Sequence, residues 1–524
     1  MRISFPADDE GDSTNQPRLT FDDEFDSGNL KTVAESQRAD DKYLLYIRPD
    51  AFGTEFQQRY TTWFHFRVTN AVPGMPLTFV IMNMAPSKMF SLGFRPVYRN
   101  NGTNNEWRPI PSPTTNKRIP KRYNSATDEE VPAQLHLTFT WTPDGGETYF
   151  AYCYPHSYTD CQTMLDGLEH KYTSRSAIEF HRELMIASVE GRRVDLVTVT
   201  SKGGNTGEEE ARIPGLFPGA GPRPPRFDKP VVLISARVHP AETPGTHILN
   251  GALHFILSMD PRASLLRSRY VFMFVPMLNP DGVCRGHYRT DSFGRNLNRY
   301  YGTATREEQP TIWAMTALAA HLQETGNRLH TYIDLHAHAN KRGCFMYGNH
   351  FDDDALQLET MLLPRLVAMN SADFDFDGCC FSAKMMSASD KAGMSRTGTS
   401  RVGMAPFVAT PMAYTLEANY YISRSVNPVR PVAGVDPGTP LGRPRPYTPA
   451  VWGEVGRGVL LALLDYHCKE PDVAKLSRVS SRPSHATLDG VRESIRCHVA
   501  NRKRKKTSKR GSASNTDVED DEDD

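Results

Sequence analysis

From residue 231 onward, short apolar runs alternate with stretches of helical spacing: 231–238 before 245–257, 270–278 before 311–323, 331–335 before 356–369, and 414–416 before 451–467. A short run with no polar face reads as a strand covered on both sides, and strands separated by helices become parallel neighbours. The pattern predicts an α/β domain over residues 156–472, a mixed, mainly parallel sheet with helices on both faces.

Before residue 155 the pattern is that of strands alone. Phe64, Phe66 and Val68 alternate with Trp63, His65 and Arg67, and Leu135, Leu137, Phe139 and Trp141 repeat the two-residue period. Residues 43–47 and 76–84 add further apolar runs, with no helical spacing between them. This predicts an antiparallel β-sandwich over residues 21–155. The polar, acidic residues 1–20 are expected to be disordered, and the Gly/Pro-rich insert 202–230 to be a surface loop. Residues 502–510 hold seven Lys/Arg and 517–524 hold seven Asp/Glu, so 473–524 is expected to be a disordered charged tail.

The chain carries 61 basic and 61 acidic residues, which excludes coating nucleic acid by bulk charge. No sequence-specific nucleic-acid partner is expected. The acidic start has no apolar segment of signal-peptide length, and no run reaches the roughly 18 residues of a spanning helix. No membrane partner is expected. Eight cysteines without a CxxC pair read as reduced thiols of a cytoplasmic protein. For the basic block, nuclear import or a polyanion contact stands beside the reading of a solvated tail. Oligomeric state leaves no signal.

Polar residues at the ends of the apolar runs carry the chemistry. His239-Pro240-Ala241-Glu242 follows the run 231–238, at the carboxyl end of a strand, where open α/β sheets bind ligands. His and Glu suit zinc, whose catalytic sites take three protein ligands. Alone, the spacing also fits a capped turn. A second strand, Thr331-Tyr332-Ile333-Asp334-Leu335-His336-Ala337-His338, offers His336 or His338 as third ligand, His336 favoured by its place near the strand's end. A third, Met412 to Glu417, ends in a carboxylate able to take a proton from water at a zinc site. Arg289 and the pair Asn298-Arg299 follow the turn Asn279-Pro280-Asp281-Gly282. Arginine forks grip carboxylates and stabilise oxyanions. Together these groups suit an exopeptidase that requires a free C-terminus.

In this order, His239-Pro240-Ala241-Glu242, Asn279-Pro280-Asp281-Gly282, Asn298-Arg299, Asp334-Leu335-His336 and Tyr414-Thr415-Leu416-Glu417 resemble the M14 zinc metallocarboxypeptidases. The wording of 276–298 and 334–349 is similar to the cytosolic carboxypeptidases, closest to the type that removes branch-point glutamates from tubulin. Phe25-Asp26-Ser27-Gly28-Asn29-Leu30 and Ala151-Tyr152-Cys153-Tyr154-Pro155 resemble that family's accessory β-domain. The resemblance covers about residues 20–470. It implies one Zn2+ per chain held by His239, Glu242 and His336, with Glu417 as general base. It implies Arg289 on the oxyanion, Asn298 and Arg299 on the substrate's terminal carboxylate, and tubulin, microtubule or other glutamylated tails as partners. Its protein would be cytoskeleton-associated.

Two positions depart from digestive members. Between Ser382 and Leu416 the sole tyrosine is Tyr414, too near Glu417 to act as their mobile tyrosine, and Asn296 stands where they carry an aspartate behind a zinc ligand. An amide oxygen still accepts a hydrogen bond from imidazole but adds no charge. Residues 381–404 carry Lys384, Lys391, Arg396 and Arg401 against the single acid Asp390, a cationic loop suited to an acidic side chain. At least two of these cations are expected to be solvated; Arg396 and Arg401 are the candidates for the pocket. Two other readings stay open: an inactive microtubule-associated scaffold of the same fold, and a zinc amidohydrolase of N-acyl amino acids.

Overall fold

The computed structural model describes residues 2–4, 19–37, 39–124, 129–172, 177–390, 393–480 and 487–510. Two compact units form. One comprises Met1–Gln162 together with His239–Thr243 and Asn279–Leu297; the other comprises Thr163–Val238, Pro244–Leu278 and Asn298–Asp524.

The first unit contains a six-stranded and a five-stranded sheet. The pairings are antiparallel except for Ala39–Tyr46 with Leu77–Met84, which run parallel. The inward residues of the two-residue alternation meet as rings: Phe79 of one sheet lies 6.1 Å from Phe66 and 5.4 Å from Phe150 of the other, and Trp141 lies 5.1 Å from Phe150. Edge-to-face pairs of this kind add to the stabilisation from area burial. Val97–Asn100 and Asn104–Pro109, which the two-residue alternation does not mark, form a hairpin. Arg2–Ser4 pairs with Thr20–Asp22, contrary to the disorder expected over 1–20; residues 5–18 lie outside the described residues.

The second unit is built on a seven-stranded sheet: β1 (Ile178–Ala187), β2 (Arg193–Ser201), β3 (Val231–Ala236), β4 (Val271–Val275), β5 (Leu329–His338), β6 (Cys344–Gly348) and β7 (Ala413–Asn419), in the order β1-β2-β4-β3-β5-β7-β6. Only the four central strands are parallel. The hairpin β1–β2 joins them antiparallel through β4, and β6 joins antiparallel through β7. The parallel part is therefore narrower than the apolar runs suggest, because a buried antiparallel strand reads the same as a buried parallel one. Helices α1 (Thr243–Ile256), α2 (Asp354–Asn370) and α3 (Pro449–Asp465) belong to this unit. α1 and α3 cross where Gly251 faces Gly453, whose backbone a Cβ on Gly251 would meet at 2.2 Å.

Two sequence expectations fail here. The insert 202–230 is more than a loop: Asn205–Glu209 pairs with Pro225–Phe227, and the buried Glu210 accepts two hydrogen bonds from Arg328 at 2.6 and 3.0 Å. The charged tail is not disordered throughout, for Leu488–Arg510 is helix α4. Its Val491 and Ile495 are buried and Arg492 pairs with Glu359 of α2 at 2.6 Å, so an apolar stripe docks the helix before its basic end begins. Residues 511–524 lie outside the described residues.

Candidate active site

The four parallel strands bring their carboxyl ends to one edge of the sheet. β3 leads through Arg237 and Val238 into His239-Pro240-Ala241-Glu242, and α1 begins at the next residue, Thr243. Arg237 has a φ of +60° and is anchored by its side chain on Thr246 Oγ1 at 3.0 Å, which turns the chain sharply out of the strand. β5 carries His336, and β7 carries Glu417 directly opposite it in register. Side chains paired in register point to the same face, with strands about 4.8 Å apart.

One ligand atom each from His239, Glu242 and His336 lies within 4.8 Å of the others, and the three residues are 3, 4 and 2 % exposed. His239 Nε2–H donates to Asn296 Oδ1 at 2.9 Å, while Nδ1 faces Glu242 Oε1 at 2.7 Å. With Nε2–H committed, a neutral ring turns a lone pair toward a carboxylate oxygen, an arrangement of acceptors that a cation resolves. His336 Nε2 donates to Asp334 Oδ2 at 2.8 Å, leaving Nδ1 for a metal. Asp334 is buried and also accepts from Ser235 Oγ at 2.8 Å; Ser235 Oγ lies 3.0 Å from the Tyr332 hydroxyl. Two imidazoles with their far nitrogens fixed, and one carboxylate, are a donor set that fits zinc.

Arg289 lies with Nη1 3.9 Å from Glu242 Oε1 and is buried. Asn298 is held by its Oδ1, which accepts from Ser400 N at 2.8 Å. Arg299 donates through Nε to Asp390 Oδ2 at 2.8 Å and through Nη1 to the Asn298 carbonyl at 2.8 Å. The single acid of the 381–404 loop thus sits on the arginine assigned to the substrate carboxylate, an ion pair that sequence reading missed. Of the loop's cations, Arg401 is 4 % exposed, donates to the Met385 carbonyl at 2.6 Å and lies 5.4 Å from the Tyr347 ring. Burial pulls its pKa down, opposed by Tyr347 and Glu417. Arg396 is half-buried against Met385 Sδ at 3.3 Å, Lys384 is exposed, and Lys391 lies outside the described residues.

Two groups had no assigned role. Asp334 could have been found from its spacing, two residues before His336 on the same strand face. Asp50 could not: its carboxylate reaches backbone N–H groups at 288–290 from far away in sequence.

The comparisons with known proteins agree with this geometry. Residues 163–352 match the zinc carboxypeptidase family, and residues 21–153 match the cytosolic carboxypeptidase N-terminal domain. The human cytosolic carboxypeptidase-like protein 5 is 34 % identical, covering 92 % of this chain and 67 % of that protein. Cytosolic carboxypeptidase 6 of Caenorhabditis elegans is 31 % identical over 89 % of this chain and 91 % of its own. A metallo-carboxypeptidase structure from Burkholderia cenocepacia shares the fold with a TM-score of 0.62 at 18 % identity, covering 86 % of this chain and 99 % of that one. The chain is a metallocarboxypeptidase and belongs to the cytosolic carboxypeptidase family.

Proposed function

We propose that this chain removes glutamate from the C-termini of glutamylated protein tails, those of tubulin and microtubules included, at chain ends or at branch points. The observation that carries the reading is the burial of Arg401 beside Tyr347 and Glu417, a cation in the specificity loop suited to an acidic side chain. Residence in the cytoplasm follows from the same reading, supported by the names of the relatives.

His239, Glu242 and His336 would hold the zinc. Zinc, when bound, polarises a carbonyl and lowers the pKa of water to about 7. Glu417 takes a proton from the attacking water and returns it to the departing amine. Arg289 donates to the scissile carbonyl oxygen as charge gathers there. Asn298 and Arg299 hold the terminal carboxylate and so restrict cleavage to a free end.

The test is mass spectrometry of tubulin tails before and after incubation with the purified protein. Loss of glutamate-sized steps is the expected outcome, and Glu417→Gln abolishes it while bound zinc is retained. Preferential release of neutral or basic residues from peptide libraries would overturn the assignment, as would undiminished turnover by Glu417→Gln.

A further inference from the structure

Asp50 belongs to the turn that follows the strand Ala39–Tyr46, and it is 1 % exposed. Its own backbone is pinned on both sides: Asp50 N donates to the Tyr60 carbonyl at 3.2 Å, and Gln58 N donates to the Asp50 carbonyl at 2.9 Å. From that fixed base the carboxylate accepts from three consecutive backbone N–H groups. Tyr288 N donates to Oδ1 at 2.6 Å; Arg289 N and Thr290 N donate to Oδ2 at 2.8 Å each; Thr290 Oγ1 adds a fourth bond at 3.1 Å. The neighbouring Ala51 N donates to His287 Nε2 at 3.1 Å, so the ring's Nδ1–H is the donor to the carbonyls of Thr290 at 3.2 Å and Asp291 at 3.1 Å.

Buried N–H groups in an irregular loop need acceptors, and a carboxylate makes stronger bonds with them than a neutral oxygen does. All of this order converges on the residue that carries the candidate oxyanion arginine. We propose that Asp50 is a positioning residue of the catalytic site: its carboxylate sets the backbone of 288–290 and thereby aims the Arg289 guanidinium. The proposal rests on the reading of Arg289 given above. Asparagine would not replace it, because an amide offers one acceptor oxygen and turns an NH2 group toward the remaining N–H donors.

The experiment measures kcat, KM, bound zinc and Tm for the full zinc-loaded chain on a synthetic peptide ending in glutamates, comparing Asp50→Asn, Arg289→Ala and the double variant. Asp50→Asn is expected to lower kcat about 10- to 100-fold with KM nearly unchanged and zinc retained, the size of effect that a misplaced oxyanion donor gives. The double variant is expected to be no slower than Arg289→Ala alone, since both changes remove one interaction. Wild-type kcat for Asp50→Asn, or losses that multiply in the double variant, overturn the proposal. A fully active Arg289→Ala fails the reading of the site itself; a slow Arg289→Ala beside a normal Asp50→Asn fails the positioning role alone. If Asp50→Asn is not recovered folded, Thr290→Val deletes one of the four bonds: a several-fold fall in kcat at constant KM supports the proposal, and no fall overturns it.

Discussion

The two histidines of the metal cluster are backed unequally. His336 rests on a carboxylate, Asp334, and His239 on an amide, Asn296. A carboxylate behind imidazole raises its basicity, and removing such a partner weakens metal binding about 10- to 100-fold. Asp334→Asn is therefore expected to lower zinc affinity by that order, read by competition with a chelator, while Asn296→Asp tightens it. His239, His336 and Glu417 stood out in the sequence because each follows an apolar run, where a parallel sheet presents side chains to a ligand. Glu242, four residues beyond its run, and the set as a whole were legible only through the family resemblance. Asp390 was legible only as a charge. Its partner Arg299 lies 91 residues earlier, and no local pattern encodes that contact.

At the level of elements, propensity located the buried strands and left the exposed ones unseen. β6 lies within residues quoted for their motif, yet its antiparallel pairing follows from the sheet, not from its own sequence. Helix α4 had a readable stripe, Leu488, Val491, Ile495 and Val499, which the dense charge after residue 502 obscured. Its docking makes a direct prediction. Ile495 is fully buried, so Ile495→Ala is expected to cost about 2–4 kcal/mol locally, seen as a lower midpoint in thermal unfolding. An unchanged midpoint would mean that the helix does not hold its place on α2. The loop bearing Arg289 makes a second. Gly286 has a φ of +68°, and a Cβ there would meet the Gly28 carbonyl oxygen at 2.5 Å. Gly286→Ala is expected to destabilise the first unit and to lower kcat together, through strain at φ and a steric push on the same loop.

Across the whole molecule, pH acts on the sandwich through a buried histidine. His65 is packed against Phe25 and Trp107, with Nδ1 3.1 Å from Ser27 Oγ. Burial first, then the charge of Arg99, pushes its pKa down from 6.5 to about 3. Above pH 6.5 the ring is neutral whether folded or unfolded, and its contribution is fully present. As pH falls from 6.5 toward 3 the unfolded chain binds a proton that the folded chain does not, and stability is lost, by about 2 kcal/mol at pH 5. Between pH 7 and pH 5 the thermal midpoint of His65→Gln, which does not titrate, should therefore rise relative to that of the wild type, and an unchanged difference between the two would overturn this assignment.

The first unit is sewn from three separate stretches of polypeptide, with Ser27 N donating to the Cys284 carbonyl and Asn29 Nδ2 to that of Gly286. An expression fragment opening at Thr163 would look like a self-sufficient protease on a family map, yet it would leave a row of amide donors around Arg289 facing water. Anyone trimming this enzyme for crystallisation or inhibitor screening should cut elsewhere, because the ribosome finishes the sandwich long before the loop that it shapes.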